Sequence, residues 1–319
     1  MNSTTLHQAE SNARSSDFIP VHIAEELRCY DTHLRDVRGL AVETRKHRIR
    51  VVGLLLCQKF ADQTIEISKL QPGDVREFLA TQLEHRRTAS HASYLSVALR
   101  SYFRYRATCG DLVGGLTAVI SSPVRWKLST LPRALTQDEV DRLLSSFTAD
   151  TRWPKRGYAI VRCALDLGLR SCEIAHLKIT DIDWRAGTVM LRATKSLRQD
   201  MLPLPMETGQ ALADYLQHER PPTKSLSIFI PCLGDRDRAM TAGAVRGVIR
   251  WAYRRIGLTH SRSHALRHAF ACHLVENGSS LKEVADLLRH RSLNTTLIYA
   301  KLDTPKLSAV ALPWPGSQS

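Results

Sequence analysis

The sequence predicts a mainly α-helical protein with one small β-sheet, split into an all-α first part and a mixed α/β second part. Three observations carry this. Apolar residues recur at helical spacing from Val21 to about Gly110. Two short apolar runs, Gly187–Ala193 and Gln199–Leu204, flank the turn Thr194–Arg198 as a hairpin would. Between the two parts, Ser121-Ser122-Pro123 and Leu131-Pro132-Arg133 lie in a stretch without periodicity. The length of 319 residues suits two domains. The expected organisation is a polar flexible extension at 1–17, a helical domain at 18–120, a linker at 121–133, a second domain at 134–304 and a tail at 305–319.

The elements follow in order. Pro72-Gly73-Asp74 opens a helix whose apolar face is Val75, Phe78, Leu79 and Leu83. The next runs from Ser90 to Thr108, with Tyr94, Leu95, Ala98, Leu99, Tyr102 and Phe103 on one face, and Cys109-Gly110 ends it. It carries Arg100, Arg104 and Arg106, which suit either phosphate contact or a plain solvated face. Thr136 and Glu139 stand at capping-box spacing before Val140, Leu143 and Leu144. A helix from about Lys155 to Leu167 ends at Gly168, and a short one begins after Ser171. Past Thr241 the pattern is helical again: Asn277-Gly278 stops one helix, and Ser280 with Glu283 caps the next.

Lys and Arg outnumber Asp and Glu by 45 to 31, a net charge of +14, so a polyanionic partner such as nucleic acid is expected. The 7 cysteines form no CxxC pair, which points to free thiols in a reducing cytoplasm. The N-terminus lacks the apolar core of a signal peptide, and no apolar run is long enough to span a membrane.

Five segments could carry chemistry. Gly168-Leu169-Arg170-Ser171-Cys172-Glu173 holds Arg170 between two helix ends, although an arginine paired with Glu173 on the surface would look the same. Lys195 sits at the tip of the expected hairpin. In His264-Ala265-Leu266-Arg267-His268, His264 and Arg267 share a helix face. Both prefer anions, and a phosphate would satisfy both. His264, His268 and Cys272 also stand one turn apart in succession, but without an HExxH glutamate or a second ligand cluster they make a poor zinc site. Leu288-Arg289-His290 ends the helix that Ser280 begins, and Tyr299 follows His290 by 9 residues.

The run from Ser263 to Lys301, SHALRHAFACHLVENGSSLKEVADLLRHRSLNTTLIYAK, resembles the C-terminal block of the tyrosine recombinase (phage integrase) family: H-x-L-R-H, then Leu-Gly-His, then a tyrosine. Arg170 in GLRSCEIAHL resembles that family's first arginine box, and Lys195 in ATKSLRQDMLPLP its hairpin lysine. The resemblance implies a helical DNA-clamping domain followed by a catalytic domain of tyrosine-recombinase type, closing as a C-shaped clamp on double-stranded DNA. It implies that Tyr299 is the nucleophile and forms a 3′-phosphotyrosyl intermediate. Arg170 and Arg267 would bind the scissile phosphate, Lys195 would protonate the leaving 5′ oxygen, His264 and His290 would assist at the phosphate, and Glu173 would buttress the site. It further implies no cofactor, metal or nucleotide, and a homotetramer on two recombination sites.

Two positions depart from the pattern. Arg289 stands where the family has glycine, which puts the aim of His290 in question, and the turn after Lys195 lacks glycine. Integration or excision of a mobile element is the expected role. The alternatives are resolution of chromosome dimers, a type IB topoisomerase, and a DNA-binding regulator without catalysis. The tail, with Leu307, Val310, Leu312 and Trp314, is expected to dock on its own domain or on a neighbouring protomer.

Overall fold

The computed structural model describes residues 19–84, 88–121, 134–192, 199–259, 263–290 and 295–302. The extension at 1–17, the tail at 305–319 and Lys195 lie outside the described residues. The chain divides into two compact units, Met1–Trp126 and Lys127–Ser319. It is mainly α with a small sheet, as the sequence predicts.

The first unit is all-α. It comprises α1 (Val21–Thr32, continued by a π-helical turn at His33–Val37), α2 (Val42–Phe60), a 3-10 turn at Ile67–Lys69, α3 (Pro72–Glu84), α4 (Ala89–Thr108) and α5 (Gly114–Ala118). Tyr30, Leu34, Leu55, Phe60, Phe78, Leu99, Tyr102 and Phe103 fill its core. The apolar face expected of α4 is the one that is buried. The arginines of that helix divide between roles. Arg106 is tied to Glu26 at 3.0 Å and Asp111 at 2.7 Å, and Arg100 donates to the Ile120 carbonyl. Arg104 is exposed. Two of the three arginines therefore bind the unit together, and the helix is not a uniform basic stripe.

The second unit begins with α6 (Gln137–Ser145), α7 (Pro154–Asp166) and α8 (Ser171–His176). A three-stranded antiparallel sheet follows, in the order β1 (Ile182–Asp183), β2 (Thr188–Leu191), β3 (Asp200–Pro203), with Val189 opposite Leu202. Then come α9 (Met206–His218), α10 (Ala242–Arg255), α11 (His264–Glu276), α12 (Leu281–Leu287) and a 3-10 helix at Leu297–Leu302. Both expected capping boxes form: Thr136 with Glu139, and Ser280 with Glu283. The main core gathers Leu143, Ile160, Val161, Ile174, Val189, Leu212, Phe229, Val245, Ile249 and Leu266. A smaller cluster of Ala271, Cys272, Val275, Val284 and Leu288 encloses Tyr299.

Gly168 ends α7 with φ of +57°, and a Cβ there would lie 2.6 Å from the Phe270 ring of α11. The chain can turn between α7 and α8 while touching α11 only because this residue has no side chain. Gly168→Ala combines a left-handed backbone cost with a clash and should destabilise the protein by about 2 kcal/mol or more. Urea unfolding of the variant beside the wild type measures this, and equal midpoints would refute it.

Candidate active site

Four chain corners of the second unit converge. The first is the turn between α7 and α8. Arg170 precedes α8, and its backbone N–H donates to Glu173 Oε2 at 2.8 Å. The Glu173 side chain is 1% exposed, and its Oε1 accepts from Arg170 Nη1 at 2.7 Å. An acidic residue in the first turn of a helix is ordinary capping. Here the same carboxylate also aims an arginine.

The second corner is α11. Its first residue, His264, is exposed, and Arg267 one turn on is buried. Arg267 Nη1 donates to the Gly168 carbonyl and Nη2 to the Leu288 carbonyl. Arg170 Nη2 also reaches the Leu288 carbonyl, at 3.4 Å. The two arginines expected to act together thus share one backbone oxygen.

The third corner ends α12. Arg289 takes φ of +52°, the left-handed geometry that glycine would supply. The N–H of His290 then donates to the Ala285 carbonyl and that of Arg289 to the Asp286 carbonyl, each at 2.9 Å, closing the helix in a Schellman turn. The helix therefore ends as the family pattern requires, without the glycine. The Arg289 side chain turns inward, is 3% exposed, and donates from Nη2 to Glu173 Oε2 at 2.9 Å. Sequence reading identified this arginine only as an anomaly. His290 Nδ1 pairs with Thr296 Oγ1 at 2.7 Å.

The fourth is the 3-10 helix. Tyr299 is 2% exposed, and its hydroxyl lies 2.5 Å from His268 Nδ1. In the sequence, His268 stands out only as a possible metal ligand. Its position one residue after Arg267 was the available signal, but nothing in the sequence paired it with Tyr299. Among the described residues, no three His, Cys, Asp or Glu side chains gather as a metal-binding set.

The electrostatics follow from this packing. Burial pushes Arg267 down to about 9, and the nearby Arg170 and Arg289 add to the effect. Burial, then Arg267 and Arg170, push His290 down to about 4, so it is neutral near pH 7. Burial and neighbouring His264 and Arg267 lower His268. Burial raises the Tyr299 hydroxyl well above the usual phenol range. Burial alone would raise Glu173 too, but Arg289 and Arg170 overcome it and hold the carboxyl below its ordinary value. The cluster is a cationic pocket holding one anion of its own, beside a buried hydroxyl. An incoming anion with several oxygens would relieve the repulsion among the arginines.

Comparison with known proteins agrees with this geometry. The phage integrase family matches residues 133–305. An integrase/recombinase named y4rA, from Sinorhizobium fredii, is 36% identical over 307 residues, covering 94% of this chain and 73% of that protein. Tyrosine recombinase XerD of Yersinia pestis is 32% identical over 248 residues, 76% of this chain and 81% of that one. In fold, the chain is similar to the XerH site-specific recombinase bound to a palindromic difH substrate, with a TM-score of 0.68, 19% identity, and coverage of 91% and 94%. It is also similar to a lambda integrase dimer bound to a core site, with a TM-score of 0.65, 18% identity, and coverage of 85% and 96%.

The shared carboxylate makes a pH-dependent prediction. Glu173→Gln leaves two guanidinium groups without their anion and should cost about 3 kcal/mol at neutral pH. A carboxyl held low in the folded state contributes its full stability above the unfolded value of 4.5 and loses it as pH falls further. The gap between wild type and variant in urea unfolding should stay constant above that pH and narrow below it. A gap unchanged on acidification would refute the assignment.

Proposed function

Because the chain belongs to the phage integrase family and is a tyrosine-type site-specific recombinase, we propose that Tyr299 is its nucleophile and that Arg170, Arg267, His264, His290 and Lys195 complete the catalytic set. The observation that carries this reading is the shared Leu288 carbonyl, which sets two arginines side by side next to a buried tyrosine. A phosphodiester repels nucleophiles, and attack adds charge to its non-bridging oxygens. Arg170 and Arg267 stabilise that charge. The Tyr299 oxygen attacks phosphorus, the bond to the 5′ oxygen breaks, and Lys195 protonates the departing oxygen. His268 Nδ1, at hydrogen-bond distance from the tyrosine hydroxyl, is placed to accept its proton. His264 and His290 assist at the phosphate. The 3′-phosphotyrosyl bond conserves the energy of the broken one, so a 5′ hydroxyl can reverse the step without ATP.

The partner is double-stranded DNA, held mainly through phosphates, with four protomers acting on two sites. The 7 cysteines are free, in keeping with action in the cytoplasm at the nucleoid. No helix among the described residues is long and apolar enough to cross a membrane. Integration and excision of a mobile element is the reading we favour. Identity to the integrase/recombinase is 36% over 94% of the chain, against 32% over 76% for XerD. Resolution of chromosome dimers is the second reading, on the strength of that XerD likeness.

The test substrate is a nicked duplex carrying the sequence that the protein itself selects from a randomised pool. Tyr299→Phe should retain binding to it and form no covalent adduct in a denaturing gel. Adduct at the wild-type level would refute the nucleophile. Arg267→Lys keeps a charge but loses the fork, so single-turnover cleavage should fall at least ~10-fold with the binding constant little changed. Equal rates would count against direct phosphate contact.

A further inference from the structure

Arg289 does more than end a helix. Its backbone accepts a left-handed conformation that is unfavourable for a side-chain-bearing residue, so it stays there only because other contacts hold it. Those contacts are specific. Nη1 donates to the Leu287 carbonyl at 2.8 Å, and Nη2 donates to Glu173 Oε2 at 2.9 Å and approaches the Gly168 carbonyl at 3.5 Å. Each of the last two acceptors also serves an arginine of the proposed phosphate site. Glu173 holds Arg170, and the Gly168 carbonyl holds Arg267.

The charge balance gives this geometry a consequence. With glycine at 289, Glu173 would be left to Arg170 alone, and one carboxylate would cancel much of one catalytic cation. With Arg289 present, two guanidinium groups share the one carboxylate, and the neutral His290 adds no charge. We infer that Arg289 is a positioning residue of the recombination reaction: it shares the Glu173 carboxylate, so that Arg170 keeps its geometry while less of its positive charge is cancelled before it meets the scissile phosphate. Arg289 itself is enclosed and acts through Glu173 and the Gly168 carbonyl rather than by touching DNA. The inference rests on the proposed active site, and its test separates the two.

The experiment compares wild type, Arg289→Gly, Arg289→Lys and Tyr299→Phe on the self-selected nicked duplex. It records the binding constant, the single-turnover cleavage rate and the thermal midpoint. Arg289→Gly removes the strained backbone and supplies the residue that best fits a left-handed helix end, so it should fold. Its cleavage should nevertheless fall about 10-fold, with duplex binding unchanged. Arg289→Lys restores a cation opposite Glu173 and should recover part of the rate. Cleavage by Arg289→Gly at the wild-type rate, or a loss that Arg289→Lys does not reduce, would overturn the inference. So would a loss that merely follows a lowered thermal midpoint. If the wild type forms no Tyr299-dependent adduct, the functional reading falls and the inference with it. If the adduct forms and Arg289→Gly is as fast as wild type, the inference alone is lost.

Discussion

The second unit is organised around one buried carboxylate. Glu173 caps α8, orients Arg170 and pairs with Arg289, so a single side chain joins a helix start, an arginine of the proposed phosphate site and a helix end more than a hundred residues away in sequence. Burying a carboxylate is costly unless it is paired and hydrogen-bonded. Here its oxygens meet two guanidinium groups and a backbone N–H, and its ionised form is favoured despite burial. That constraint leaves the α7–α8 turn and the end of α12 little freedom to separate, which fixes the space between them where a phosphate would sit.

The proposed nucleophile is managed by a different force. Tyr299 lies in its own apolar cluster with Ala271, Cys272, Val275, Val284 and Leu288, and its hydroxyl meets His268 Nδ1. Leu288 belongs to that cluster through its side chain, while its carbonyl accepts from both Arg170 and Arg267. Packing around the tyrosine and aiming of the arginines therefore pass through the same residue. A shift of α12 would disturb both, which ties Tyr299 to its electrostatic surroundings without a direct bond between them.

Much of this was legible in the sequence because it is local. Capping boxes at Thr136 and Ser280, the stop at Gly168 and the burial face of α4 depend on residues within a turn or two, and each formed as expected. Of the candidate residues, Arg267, His290 and Tyr299 stood out through spacing within one resembling block and Arg170 through a second, separate box, and the fold brings these four to one region. What stayed hidden is non-local. Nothing near Arg106 in sequence announces Glu26, and nothing near His268 announces the Tyr299 hydroxyl.

Arg289 shows how a local rule and a long-range contact can trade against each other. A helix that ends in a left-handed residue takes glycine by default, because any other side chain adds strain. An arginine there is locally unfavourable by about 1 kcal/mol. Breaking a buried ion pair costs about 3 kcal/mol or more, so the contact with Glu173 outweighs the backbone term. The exchange is asymmetric: glycine would make a better corner but would leave the carboxylate to one arginine, whereas arginine makes a poorer corner and completes the pocket. A residue that breaks a backbone rule beside an active site therefore points to the interaction that holds it there, and here that interaction is with the carboxylate that aims Arg170.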